Sequence, residues 1–471
     1  MRTRTPFLGL VVACLGVGYL VQAASPLRMN TDAIEFLEIA ASVSDGDGFL
    51  TNGQPSHYPP GYPLVLAALD RAGIARSAVM IGLNLAALAM GLACACYILA
   101  RSMEIGRDGL LWLACMTLLS WVIVKHVTLP VSDVPYFGVS LASLAVATRA
   151  AESRGRRRVY WLGAAGLLAA LAVSLRTIGV ALAPALAFAA CPGFSWTGIR
   201  RRWETHRRAA TLALSGVVAA LIGGAAVLGS TKYAHEMTRD WRGVGDLVRF
   251  RLEDWGELLL NGSQAQLPQS LQPLVMVAGL AFAALMAVGV RSRRRIAAVD
   301  FYVAAYVAIL LIWPYRDARF WVPVVPLLLG YGWVGVREMA RSRRGVVRWV
   351  GAGYLTGYVA MGLVALAYTT WLSCSGDRFA DRYGGGIYRA SYLAAFGLEV
   401  PDDPAPALTR RADHSEERVD RVLRRFGPRR SLTPPGRLKS ADGPGDLERR
   451  QLFGIGGGPS GQEGSGVSGR G

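Results

Sequence analysis

Apolar residues run along most of this chain in long blocks, each near the ~20 residues that an α-helix needs to cross the hydrocarbon of a bilayer. Polar residues gather in the short stretches between them. The blocks predict about eleven membrane helices, at 7–24, 78–100, 108–126, 134–149, 159–175, 177–191, 209–230, 272–290, 298–313, 320–337 and 346–372. The fold class is therefore all-α, a polytopic transmembrane helical bundle, since a helix satisfies its backbone N–H and C=O groups within its own segment. Two of the connecting stretches carry a periodicity of their own. Trp241, Val244, Leu247, Val248, Trp255, Leu258 and Leu259 recur at helical spacing among Arg242, Asp246, Arg249, Glu253 and Glu257, which predicts an amphipathic helix lying on a membrane surface. After the first block, Asn30 or Thr31 can cap a helix in which Asp32, Glu35 and Glu38 line one face and Ile34, Leu37 and Ala41 another.

Composition agrees that the bilayer is the solvent, with 52% hydrophobic and 18% charged residues. The net charge of +18 would suit nucleic acid, but the placement of the arginines argues against that partner. They occupy every second loop: Arg2 and Arg4; Arg101 and Arg107; Arg154 and Arg156–Arg158; Arg200–Arg202, Arg207 and Arg208; Arg291 and Arg293–Arg295; Arg337, Arg341, Arg343 and Arg344. This is the positive-inside pattern, which places the N-terminus in the cytoplasm and, with an odd number of spans, the C-terminus outside. Arg2 and Arg4 before an apolar stretch ending in Ala23-Ala24-Ser25 also fit a secretory signal peptide, whose removal would leave the other helices oriented as they are.

Residues 1–372 read as one multi-pass domain in the plasma membrane, with large outer loops at 25–77 and 231–271. The stretch 373–471 reads as an outer tail, rich in Gly, Pro, Asp and Arg and largely disordered after about residue 405. Its Tyr383–Leu398 stretch holds enough aromatics for a short docked element. The six cysteines show neither metal spacing nor a disulfide framework. No cofactor is indicated, and use of a divalent metal is not legible, because the outer His57 and His235 have no partner at ligand spacing.

Candidate chemistry lies on the predicted outer side. The acidic helix face could simply be solvated, but other charges of both signs reach the same side near span ends: Asp133 after Ser132, Arg176, and Arg316, Asp317 and Arg319. Ionisable groups at membrane depth are costly and usually serve a site or a pair. Carboxylates beside arginines suggest a general base next to a phosphate clamp. Pro59, Pro60 and Pro63 with Gly61 make a rigid turn beside His57 and Tyr58, two side chains placed to touch a substrate or simply to populate an interfacial aromatic belt. Lys125 and His126 end a span and can snorkel, and Asn261-Gly262-Ser263 fits a glycosylation sequon that chance also supplies.

Taken in order, Asp32 with Phe36-Leu37-Glu38-Ile39-Ala40, Gly46-Asp47-Gly48-Phe49, Tyr58-Pro59-Pro60-Gly61-Tyr62-Pro63, Ser132-Asp133, Arg176-Thr177-Ile178-Gly179 and Arg319-Phe320-Trp321-Val322-Pro323 resemble the GT-C glycosyltransferases. The branch in view is the bacterial relatives of protein O-mannosyltransferases and of the lipid A aminoarabinose transferase, and the resemblance covers roughly 7–372. It implies transfer of a sugar from a polyprenyl-phosphate-linked donor to a glycan, lipid or protein acceptor outside the membrane, with inversion at the anomeric carbon. Asp32 matches the first-loop acid that acts as base, and Arg176, Arg316 and Arg319 match basic positions suited to the donor phosphate. Asp133 matches a later acidic position of the site. One departure is that Ala33 follows Asp32 where those families carry a second acid, so that Glu35 is the next carboxylate available. A transporter or flippase of a lipid-linked saccharide is the alternative, but it would place its charges near the midplane between matching halves.

Overall fold

The computed structural model describes residues 4–191, 243–293, 295–341, 344–384 and 416–426, with 392, 393, 395, 396 and 398. The span predicted at 209–230, the basic residues Arg200–Arg208, His235, Trp241 and the tail beyond Phe426 lie outside these residues.

Among the described residues, seven helical stretches are long and apolar enough to cross a membrane: Pro6–Ala23, Ser77–Ser102, Asp133–Glu152, Gly155–Leu175, Gln269–Ser292, Ala318–Ala340 and Trp349–Ser373. They make this a multi-pass membrane protein. In chain order the helices are α1 (Arg4–Ala23), α2 (Thr31–Asp45), α3 (Gly61–Arg71), α4 (Ser77–Ser102), α5 (Arg107–Leu118), α6 (Trp121–His126), α7 (Asp133–Glu152), α8 (Gly155–Leu175) and α9 (Leu182–Ala190). After them come α10 (Val244–Leu260), α11 (Gln272–Ser292), α12 (Ala298–Leu311), α13 (Val325–Ala340), α14 (Arg344–Ser373), α15 (Gly376–Phe379) and α16 (Glu416–Phe426). Short 3₁₀ turns lead into α9 (Thr177–Ala181) and α13 (Ala318–Val324). Two two-residue strands, β1 (Leu50–Thr51) and β2 (Gln54–Pro55), pair through an Asn52-Gly53 turn with both φ positive, the geometry that Asn-Gly favours.

Three expectations meet a different outcome. The stretch predicted as one span at 108–126 is interrupted at Leu119 and Ser120, between α5 and α6. Asn261 holds that break open: its side chain donates to the Leu119 carbonyl at 3.0 Å and accepts from the Trp121 N–H at 2.7 Å, so the two backbone groups freed by the break are satisfied. Asn261 also donates to Tyr358 O at 2.8 Å and is 1% exposed, so it is a structural amide and not a glycosylation acceptor. The spans expected at 177–191 and 298–313 form the shorter apolar stretches Thr177–Ala190 and Ala298–Leu311. Finally, within the tail expected to be largely disordered, α16 is a docked helix, with Val419, Val422, Leu423 and Phe426 buried.

The helix expected in the second large loop forms as α10, but Glu253 and Glu257 of its expected polar face are buried while Val244 and Val248 are exposed. It runs antiparallel against α11 at very close range: Gly256 faces the Val275 carbonyl and Gly279 faces the Leu252 carbonyl, with no room for a Cβ at either position. The two ends of the bundle gather different elements. At one end Arg101 pairs with Glu152, Arg293 donates to Ser102 O at 2.9 Å and Arg337 donates to Glu104 O at 3.3 Å, so arginines from separate basic loops share one face. The other end gathers α2, α3, α6, the start of α7 and the 3₁₀ turn before α13.

Candidate active site

Asn30 caps α2, its side chain accepting from the Ala33 N–H at 2.9 Å, and this sets Asp32 in the first turn, where the helix dipole favours negative charge. The helix buries Ala33, Ile34, Phe36, Leu37, Ile39 and Ala40 and ends at Gly46 in the left-handed conformation. Asp32 stays partly open, its side chain 26% exposed. Both of its oxygens are engaged. The Tyr58 hydroxyl donates to Oδ1 at 3.0 Å, and Arg319 Nη1 lies 2.6 Å from Oδ2. Tyr58 is held in place by Phe36, one turn beyond Asp32, through an edge-to-face contact of 5.0 Å; Phe36 also meets Tyr62 at 5.5 Å.

Arg319 arrives from the 3₁₀ turn before α13. Asp317 caps this turn by accepting from the Arg319 N–H at 2.9 Å, and its other oxygen lies 2.9 Å from Arg319 Nε. The guanidinium therefore bridges Asp32 and Asp317. A second pair stands beside it: Asp133, in the first turn of α7, with Arg176, which follows the last turn of α8. The two guanidiniums flank one ring, with Arg319 5.3 Å and Arg176 5.8 Å from the centre of Phe320. Tyr306 fixes the backbone there, donating to Phe320 O at 2.6 Å. Five separate parts of the chain thus bring Asp32, Tyr58, Asp133, Arg176, and Asp317 with Arg319 together.

The remaining expected residues are placed elsewhere. Arg316 is held by the acidic face of α10, with Glu253 at 2.9 Å, Glu257 at 3.0 Å and Asp254 at 3.7 Å, and it also donates to Gln264. Asp254 additionally accepts from Arg251 at 2.9 Å and from the indole of Trp321 at 3.0 Å. Burial pushes the Asp254 carboxyl up to about 6 and that of Glu257 up to about 7, despite the arginines beside them. Glu35 lies toward α16, 3.9 Å from Arg418, whose Nε donates to Glu38 at 2.6 Å. His57 is exposed on the loop before the proline turn.

Two further groups adjoin the site, Lys125, expected only to snorkel, and Arg28, which the sequence did not single out. Lys125 has its ammonium over the Trp121 ring at 5.6 Å and sits in the combined field of Asp317, Arg28, Arg382 and Arg319. Arg28, buried just before α2, donates to Lys125 O and to Thr128, each at 2.9 Å, and so fastens the first loop to the α6–α7 connection. The signal for Lys125 was only its position near a predicted span end.

Solved structures similar to this chain include the following three. The crystal structure of ArnT from Cupriavidus metallidurans bound to undecaprenyl phosphate is 16% identical, over 90% of this chain and 90% of that one, with a TM-score of 0.47. The apo state of the same ArnT is 15% identical over 88% of this chain and 84% of that one, with a TM-score of 0.47. The third structure, the Archaeoglobus fulgidus oligosaccharyltransferase tethered with an acceptor peptide, is 12% identical over 90% of this chain and 64% of that one, also with a TM-score of 0.47. No protein-family model and no curated protein matches the chain. Identities of this size give no residue a role, and the chemistry rests on the side chains themselves.

Proposed function

We propose that this protein is an integral membrane glycosyltransferase that moves a sugar from a polyprenyl-phosphate-linked donor to an acceptor on the extracytoplasmic face, by one inverting displacement with Asp32 as general base. The observation that carries the reading is the meeting of Asp32, Tyr58 and Arg319, from three distant parts of the chain, at the end of the bundle away from the shared arginine face. The donor class follows from the family resemblance of the sequence, and the electrostatics of the site suit it.

In this mechanism an acceptor hydroxyl hydrogen-bonds to Asp32 and attacks the anomeric carbon. Its proton passes to the carboxylate as the new C–O bond forms. The bond from the anomeric carbon to the phosphate oxygen breaks, and its electron pair leaves on the lipid phosphate. Charge growing on that phosphate is met by Arg319, one hydrogen bond from the base, with Lys125 adding positive potential nearby. Tyr58 orients Asp32, and Asp317 orients Arg319. Arg176, tied to Asp133, braces the Phe320 wall and adds a second guanidinium beside the phosphate. Arg316 is left out of the clamp because three carboxylates already hold it.

The test offers a panel of radiolabelled polyprenyl-phosphate sugars, with a membrane extract as acceptor, to the full chain in nanodiscs. The reading expects label in a product from at least one donor. Translocation of the carrier lipid across vesicles without transfer from any donor would replace it with a flippase.

A further inference from the structure

At the end of the bundle opposite Asp32, the close of α7 and the start of α8 line an open depression of about 730 Å³. Asp133 begins α7 and Glu152 ends it, so its 20 residues hold this depression about 30 Å from the Asp32 site. The lining includes Arg149, Arg154, Arg157, Tyr160 and Trp161, with Glu152 as its carboxylate. Glu152 is held chiefly by Arg101, which grips both of its oxygens at 2.9 and 3.0 Å, while Arg149 lies 3.7 Å from one of them. Three guanidiniums therefore line an open depression with one carboxylate, so positive charge is left over there even with Arg149 beside Glu152. A second hollow of about 280 Å³ shares Arg149 and Trp161 and continues along Tyr97, Ala145 and Val146. Basic depression and apolar hollow thus have common walls, which is the shape of an amphiphile with an anionic head and a hydrocarbon chain.

We propose that this double depression binds one anionic phospholipid, with its phosphodiester among Arg149, Arg154 and Arg157 and an acyl chain in the hollow below Trp161. Guanidinium matches phosphate oxygens in a bidentate manner, and basic pockets between membrane helices suit anionic headgroups. A zwitterionic lipid would bring an ammonium among three guanidiniums and gain much less. Tyr160 and Trp161, 76% and 39% exposed, are the interfacial aromatics that would flank the glycerol level. The site is independent of the chemistry at Asp32.

The experiment titrates the full chain, purified in mild detergent, with dioleoyl phosphatidylglycerol, dioleoyl phosphatidylcholine, inorganic phosphate or a polyprenyl phosphate, and reads the dissociation constant and thermal shift. Phosphatidylglycerol should bind at least about tenfold more tightly than phosphatidylcholine, on the basis of roughly 1 kcal/mol per basic residue near the headgroup. The combined Arg149→Gln, Arg154→Gln and Arg157→Gln variant should lose that preference. The charge-matched control, Arg291→Gln, Arg295→Gln and Arg341→Gln, should keep it. Trp161→Ala, which alters the hollow without changing charge, should weaken the long-chain lipid while leaving a short-chain phosphatidylglycerol unchanged, and this keeps the test decisive should the triple variant fold poorly. Equal binding of the two phospholipids, equal loss in the control, competition by inorganic phosphate at matched concentration, or tighter binding of the polyprenyl phosphate at the same arginines would each overturn the assignment.

Discussion

Arg316 and Arg319 stand three positions apart in one short segment and end in opposite surroundings. Arg316 meets three carboxylates whose side chains are 5%, 1% and 8% exposed, all on α10. Arg319 bridges Asp32 and Asp317, which are 26% and 40% exposed and reachable by water. The first arrangement is closed, and removing its cation strands buried negative charge. In the second, a substrate phosphate can compete for the guanidinium, because the carboxylates it would leave are hydrated. Two arginines of equal promise in the sequence thus end in a closed and an open ion-pair cluster, and in the proposed mechanism only Arg319 takes part in the chemistry.

The contrast makes opposite predictions for the two alanine variants. Arg319→Ala should lower transfer by about 10²–10³-fold, the scale of a lost charge-stabilising donor, while costing about 1 kcal/mol or less in stability. Arg316→Ala should cost about 2–3 kcal/mol, a buried-pair loss reduced for the partial exposure of Arg316, with transfer by the folded fraction within about threefold of native. Parallel thermal melts and initial transfer rates check both. If the two variants swapped phenotypes, the assignment of roles would be reversed.

The acidic face of α10 also predicts a pH dependence. Because burial raises the folded carboxyls of Glu257 and Asp254 to about 7 and about 6, the folded protein holds their protons more tightly than the unfolded chain does. Their favourable contribution is therefore complete below the unfolded values near 4 and is lost as pH rises through about 6 to 7. For Glu257 the difference is on the order of 3 kcal/mol. Melting temperature should fall between pH 5 and pH 8, and Glu257→Gln should flatten that slope. A slope left intact in the variant would remove Glu257 as its source.

A smaller effect is expected at the α16 latch. Arg425 pairs with Asp45 at 2.7 Å and Asp70 at 2.6 Å, and its hydrogen bonds hold the Asp45 carboxyl below its ordinary value. The pairs are partly exposed, so Arg425→Ala should cost about 0.5 kcal/mol. The Arg418 contact with Glu38 is more enclosed, and its loss should cost more, measured as earlier proteolysis of α16.

Much of the bundle was legible because a membrane helix is written in a single continuous apolar block. Asp32, Tyr58 and Arg319 were legible as candidates because charges and rigid turns at span ends are few. What could not be read was pairing across distance. The break between α5 and α6 has no proline or glycine at Leu119-Ser120 to announce it, and the residue that sustains it, Asn261, is 140 positions away. Arg316 is neutralised by carboxylates that only the close Gly256–Val275 packing of α10 on α11 brings into position. In α16 the apolar stripe of Val419, Val422, Leu423 and Phe426 was masked by the charges interleaved with it.

The most direct measurement is single-turnover transfer of a radiolabelled sugar by the native chain and by Asp32→Asn in nanodiscs, with donor binding followed in the same samples. Loss of transfer by about 10²–10⁴-fold with donor affinity unchanged is the predicted result, since a general base acts on the acceptor proton and not on the bound donor. Transfer by Asp32→Asn at the native rate, with the donor equally bound, would contradict Asp32 as the base.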